Sequence, residues 1–215
     1  MIINGRIQIK TMKKLMYILC LFFATGLFAQ TNFVDNIATK KRTILLDAGH
    51  GGADTGVKND EVQEKDIVLK IANTIKERNP YQDIDFVFIR TGDEQIINTN
   101  RAKIINEIKP DLVISLHANY DVKDSKKGTE IHVSPMNPFY NQAKILGEKI
   151  GKNISTLGFD NLGIIETNSK VLRDSNAPTI MIEIGYLTNT QDRNYLTNEA
   201  NYSKIADKIL ETLKN

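Results

Sequence analysis

Cysteine is almost missing from these 215 residues: Cys20 is the only one, and it lies in an apolar stretch near the N-terminus. A disulfide framework is thereby excluded, as is a thiolate zinc site, so any metal must be held by imidazoles and carboxylates. Tryptophan is absent and histidine is limited to three residues, which makes each histidine worth accounting for. Long apolar runs are lacking too. The longest, Leu15 to Ala29, has fifteen residues, where a spanning helix needs about 20.

That run follows Lys13-Lys14 and ends in small residues before Gln30-Thr31-Asn32. It has the basic lead, short apolar core and cleavage region of a secretory signal peptide. Residues 1–29 are therefore expected to be removed on export to the periplasm or the medium. Met12 heads the usual layout of such a signal, which leaves 1–11 as an upstream extension, and 30–42 reads as a polar lead-in to a single domain over 43–215. Ile18-Leu19 before Cys20 do not fit a lipoprotein site. Residues 1–29 carry Arg6, Lys10, Lys13 and Lys14 and no acid. Without them 24 basic residues face 26 acidic ones, a formal charge of −2, so charge gives no argument for nucleic-acid binding.

Downstream, apolar strands alternate with amphipathic helices. Strands are expected at Thr43–Asp47, Ile84–Ile89, Asp111–Leu116, Gly128–Val133 and Thr179–Ile184, with a short one at Val171–Arg173. Helices are expected over Glu64–Arg78, Asn98–Ile108, Pro138–Leu157 and about Asn201–Leu213, the first carrying Ile67, Ile71 and Ile75 at helical spacing. This alternation predicts an α/β fold, a single domain with a mostly parallel twisted sheet flanked by helices on both faces.

Three polar residues have no evident structural task in this pattern. His50 follows the first strand in Asp47-Ala48-Gly49-His50-Gly51-Gly52, His117 follows the third, and Glu183 interrupts the apolar run Ile180–Ile184. In a parallel sheet such positions can meet outside the carboxyl ends of the strands. Taken singly, a histidine in a glycine turn is as well explained by a capping hydrogen bond. An acid inside a buried strand is harder to dismiss, because an unpaired buried carboxylate costs several kcal/mol. Glu64, at the start of a helix, is the candidate for a further acid, with Glu61 nearly as well placed; from position alone, the favourable interaction of an acid with a helix N-terminus explains Glu64 better than a metal does.

Asp47–Gly52, Glu64-Lys65-Asp66, Ser115-Leu116-His117-Ala118-Asn119 and Glu183-Ile184-Gly185-Tyr186-Leu187-Thr188-Asn189 together resemble, in order and spacing, the zinc-dependent N-acetylmuramoyl-L-alanine amidases of the peptidoglycan amidase type 3 family. The resemblance runs from about residue 43 to the C-terminus. It implies that His50, Glu64 and His117 hold Zn2+, that Glu183 is the catalytic acid/base, and that Arg90, Arg101 and Gly128 are structural. Ala48 stands where the family commonly has proline. His132 lies where the family places no ligand and reads as an ordinary strand residue. Two histidines, one glutamate and an open fourth position are the shell of a catalytic zinc.

The implied activity is hydrolysis of the amide between N-acetylmuramic acid and the L-alanine of the peptidoglycan stem. The alternatives are a non-catalytic peptidoglycan-binding protein on the same fold and a zinc peptidase or amidase acting on another amide. Some relatives block their cleft with an inserted helix that an activator removes. Here His117 and Glu183 are separated by 65 residues that must also supply a strand and a helix. The site is therefore expected to be open in a monomer that needs no regulatory protein, although none is identified or excluded by the sequence. Asp47 is expected to orient His50.

Overall fold

The structure, a computed structural model, describes residues 41–59 and 62–214. The expected signal segment, all of the lead-in before residue 41, and Glu61 lie outside the described residues. Eight strands and six α-helices follow in chain order: β1 Arg42–Ala48, β2 Lys58–Asn59, β3 Val62–Gln63, α1 Glu64–Glu77, β4 Ile84–Phe88, α2 Asn98–Ile108, β5 Leu112–Asn119, β6 Thr129–Val133, α3 Tyr140–Ser155, β7 Asn161–Glu166, α4 Lys170–Asp174, β8 Thr179–Tyr186, α5 Thr190–Thr197 and α6 Tyr202–Leu210. None of the described helices is long and apolar enough to cross a membrane.

Six strands form one sheet in the order β4-β1-β5-β8-β6-β7, and β2 and β3 form a small antiparallel pair. The neighbours from β4 to β8 are parallel, β6 runs antiparallel to β8, and β7 is parallel to β6. The expected α/β architecture is thus the observed one. Alternation along the strands assigns the two faces. Ile44, Leu46, Ile114, Leu116, Ile180 and Ile182 enter the larger core, with Ile71 of α1, Ile150 of α3 and Ile209 of α6. Leu45 and Val113 point the other way, into a smaller core with Ile105 of α2 and Val171 of α4.

Several elements differ from expectation. Val171–Arg173 is part of the short helix α4 rather than a strand. It buries Val171 and Leu172, and three apolar or long residues in a row do not distinguish the two states. Strand β7, exposed along much of its length, and α5, which begins with Asn189 accepting from the backbone N–H groups of Gln191 and Asp192, were not foreseen. Strand β5 continues past Leu116 to Asn119, so His117 lies within it.

The smaller-core face carries two cross-strand rows that include polar side chains. The inner row runs Asp47, Ser115, Met181, His132 and Ile165 across β1, β5, β8, β6 and β7; the outer row runs His117, Glu183 and Glu130 across β5, β8 and β6. Cross-strand partners share a face with Cβ atoms about 4.5–5.5 Å apart. The outer row is held by Asp192 of α5, which is 2% exposed. Its Oδ2 accepts from the backbone N–H of Gly128 at 2.7 Å and of Tyr186 at 2.9 Å, tying the entry of β6 to the end of β8. Gly128 has its own packing role, because a Cβ there would meet the Asp160 carbonyl at 2.4 Å.

Replacing Asp192 by alanine strands two buried N–H groups, each costing about 1–3 kcal/mol. Asp192→Ala is therefore expected to lower the urea midpoint by the equivalent of about 2 kcal/mol or more. A midpoint within error of wild type would refute this role.

Candidate metal centre

The His50 loop leaves β1 at Ala48 and turns where His50 adopts φ 61°, a left-handed conformation uncommon for a residue with a side chain. Its carbonyls have no strand to pair with, and buried cations take them. Arg90 donates to Ala48 and Gly49 carbonyls, each at 2.8 Å, and also to Lys65 and Gly92 carbonyls. Arg101 donates to the carbonyls of Ala48, His50 and Ile96. Lys65 donates to Gly52 O at 2.9 Å and pairs with Asp93 at 2.8 Å. Arg90, Arg101 and Lys65 are all buried. Asp47, 1% exposed, pairs with Arg101 and accepts from Ser115 Oγ at 2.9 Å. It thus acts on the loop backbone through Arg101, whereas the residue that bonds the His50 ring is Asp54, whose Oδ1 lies 2.9 Å from His50 Nδ1.

Glu64, the first residue of α1, is 2% exposed and carries the centre. Its Oε1 lies 3.0 Å from His50 Nε2 and 3.0 Å from His117 Nδ1. The same oxygen accepts from Ala118 N at 3.0 Å, inside a register irregularity between β5 and β8, and Oε2 accepts from Val57 N at 2.9 Å. The imidazoles stand edge to face, centroids 4.9 Å apart. Gly49 makes this approach feasible: a Cβ there would sit 2.2 Å from His117 Cε1.

Charge follows from this packing. Burial pushes the Glu64 carboxyl up, but hydrogen bonds to His117 and His50 outweigh it and hold the group far below the carboxylate range. Burial lowers both histidines, and Glu64 reverses this for each, helped by Asp54 at His50 and by the charge of Glu183 at His117. Glu183, partly exposed beside His117, is raised by burial, with His117 opposing and Glu64 reinforcing.

The structure thus brings His50, Glu64 and His117 together, one ligand atom from each within 4.8 Å of the others, and sets Glu183 on the adjacent strand. Two imidazoles and a carboxylate are nitrogen and oxygen donors suited to zinc. The Asp54 bond to Nδ1 fixes the ring so that Nε2 faces the cluster, as carboxylates do behind metal-binding histidines. A cavity of about 290 Å³ opens beside it, lined by both histidines, Asp54, Ile97, Val171 and Met181 among others. Sequence reasoning missed Asp54, hidden in a loop rich in Gly and Asp; its signal is the four-residue spacing from His50. It also missed Glu130, in register with Glu183. Burial pushes Glu130 up, but hydrogen bonds from Tyr186, His132 and Lys126 lower it to about 2.

A family model described as N-acetylmuramoyl-L-alanine amidase matches residues 44–215. The N-acetylmuramoyl-L-alanine amidase CwlM of Bacillus licheniformis is 30% identical over 167 residues, which are 76% of this chain and 64% of that protein. The crystal structure of N-acetylmuramoyl-L-alanine amidase from Clostridium difficile 630 aligns with a TM-score of 0.77 at 30% identity, covering 81% of this chain and 96% of that one. The CwlD amidase from Clostridioides difficile, solved in complex with the GerS lipoprotein, aligns at 0.74 with 25% identity over 80% of this chain and 96% of that one. The match begins inside β1 and covers every other described strand and the whole centre, and the chain belongs to the N-acetylmuramoyl-L-alanine amidase family of enzymes.

Proposed function

We propose that this protein is an exported, zinc-dependent amidase that hydrolyses the bond between the lactyl carbonyl of N-acetylmuramic acid and the L-alanine of the peptidoglycan stem. The observation that carries the reading is the convergence of His50, Glu64 and His117 next to Glu183, a carboxylate with a different task on the neighbouring strand. Family membership supports the bond, and the N-terminal segment supports export, since the substrate lies outside the cytoplasm.

In this reading His50 Nε2, His117 Nδ1 and a Glu64 oxygen hold the ion, and Asp54 keeps the His50 ring aimed. Zinc, when bound, polarises the scissile carbonyl and makes water more acidic. Glu183 takes the proton from the attacking water and returns it to the departing amine of L-alanine. Its burial suits the first half of this exchange, because a carboxyl held above its ordinary range is a stronger base toward the attacking water. Arg90 and Arg101 act earlier, by fixing the backbone from which His50 projects.

Glu183→Ala is expected to keep one equivalent of zinc while hydrolysis falls by about a hundredfold to ten-thousandfold. Wild-type turnover in that variant would remove Glu183 from the mechanism. Glu64→Ala should lose zinc along with activity, read by metal analysis after dialysis; full zinc retention would exclude it as a ligand. The purified protein, without any added partner, should release stem peptides from intact glycan, with a chelator stopping and zinc restoring release. Mass spectrometry showing cleavage at another amide would overturn the substrate assignment.

A further inference from the structure

The direction of the reaction across the sheet assigns a place for the substrate's peptide. The carbonyl half of the scissile amide belongs with His50, Glu64 and His117, at β1 and β5. The amine half belongs with Glu183, which protonates it. From His117 to Glu183 is one step along the outer row, and the next residue in that row is Glu130 of β6. A peptide leaving the amine therefore continues over β6, whose free face also shows His132, opposite Met181 on β8 and Ile165 on β7.

This part of the sheet is partly open, although Glu130 itself is 6% exposed. The smaller core, with Ile105 of α2 and Val171 of α4, lies against Leu45 and Val113 of β1 and β5. Ile165 is left 37% exposed, and the His132 side chain keeps 19% of its surface accessible. His132 is also held. Its Nε2 lies 3.0 Å from Glu130 Oε2. That carboxylate is itself fixed by Tyr186 Oη at 2.6 Å, Asn119 Nδ2 at 2.9 Å and Lys126 Nζ at 3.0 Å. A ring fixed along one edge presents the other edge, Nδ1, in a constant direction, which is how polar binding residues are commonly prepared for a ligand.

We propose that His132 binds the stem peptide beyond L-alanine, its Nδ1 accepting from the amide N–H of the second stem residue while Ile165 and Met181 pack against the chain. The assignment rests on the amidase reading for its direction. It gives the enzyme a reason to prefer muramoyl peptides over a bare muramoyl-alanine.

The test uses the full-length zinc-loaded protein and two measurements. Calorimetric titration with the dipeptide L-alanyl-γ-D-glutamate, the product side of the reaction, is expected to show about tenfold weaker binding to His132→Ala than to wild type. In hydrolysis, His132→Ala should raise KM for muramoyl-L-alanyl-D-isoglutamine by a similar factor with kcat nearly unchanged, and leave muramoyl-L-alanine, which lacks the second-residue amide, unaffected. Equal dipeptide binding in both proteins, or an equal loss on both substrates, overturns the proposal. Should wild type cleave neither substrate yet lose dipeptide affinity on substitution, the amidase reading fails and the His132 subsite stands.

Discussion

Everything at this centre depends on how the carbonyls of Ala48 to Gly52 are satisfied. The chain must leave the sheet at β1, reverse within a few residues and project an imidazole from a left-handed backbone, all where the strand ladder has ended. Four of those five carbonyls accept hydrogen bonds from Arg90, Arg101 or Lys65, and the fifth, Gly51 O, accepts from Asp54 N at 3.2 Å. Unmet buried carbonyls would cost about 1–3 kcal/mol each. Guanidinium groups suit the task because one planar head carries several fixed donors, so each reaches more than one carbonyl. The strain of a non-glycine residue at φ 61° is thereby over-determined by its surroundings.

The same cations explain the order of the sequence motifs. Lys65 follows Glu64, so one turn of α1 sends its first side chain to the two histidines and its second to the loop that presents His50. Arg101, in α2, reaches back to Asp47 and His50, and Arg90 links the end of β4 to the same loop. Motifs scattered over 43–183 are therefore one mechanical unit.

Much of this was legible in the residues. The helix over Asn98–Ile108 and the four central strands followed from apolar periodicity bounded by Pro, Gly and Asn. Glu183 stood out because an acid in an apolar strand demands a reason. What stayed hidden depends on long-range partners. The four-residue spacing from His50 alone does not mark Asp54 off from its neighbours, yet it becomes the His50 ring's partner once Gly51 and Asp54 pair across the turn. Strand β7 buries too little to show alternation. The helix α4 is set by packing of Val171 and Leu172 rather than by any signal in five residues. Glu61 and Glu64 could not be separated by position; the described contacts of Glu64 to both histidines give it a place at the centre.

Glu130 and Glu183 show most directly how surroundings divide the work between identical side chains. They face the same way, in register on adjacent strands. One accepts from Tyr186, Asn119, His132 and Lys126 and is an anion held low, at about 2. Among the described residues the other meets no such set of donors; burial raises it, and it stands in register with His117 of the candidate cluster instead. A carboxylate bound by four donors cannot exchange a proton near neutrality, because each donor stabilises the charged form. A carboxylate in a partly dry place without them can. The fixed charge of Glu130 beside it adds to that bias, since a neighbouring anion disfavours a second one. In the proposed mechanism the base is therefore the acid that, among the described residues, is left without such donors, and the strand positions alone would have allowed either.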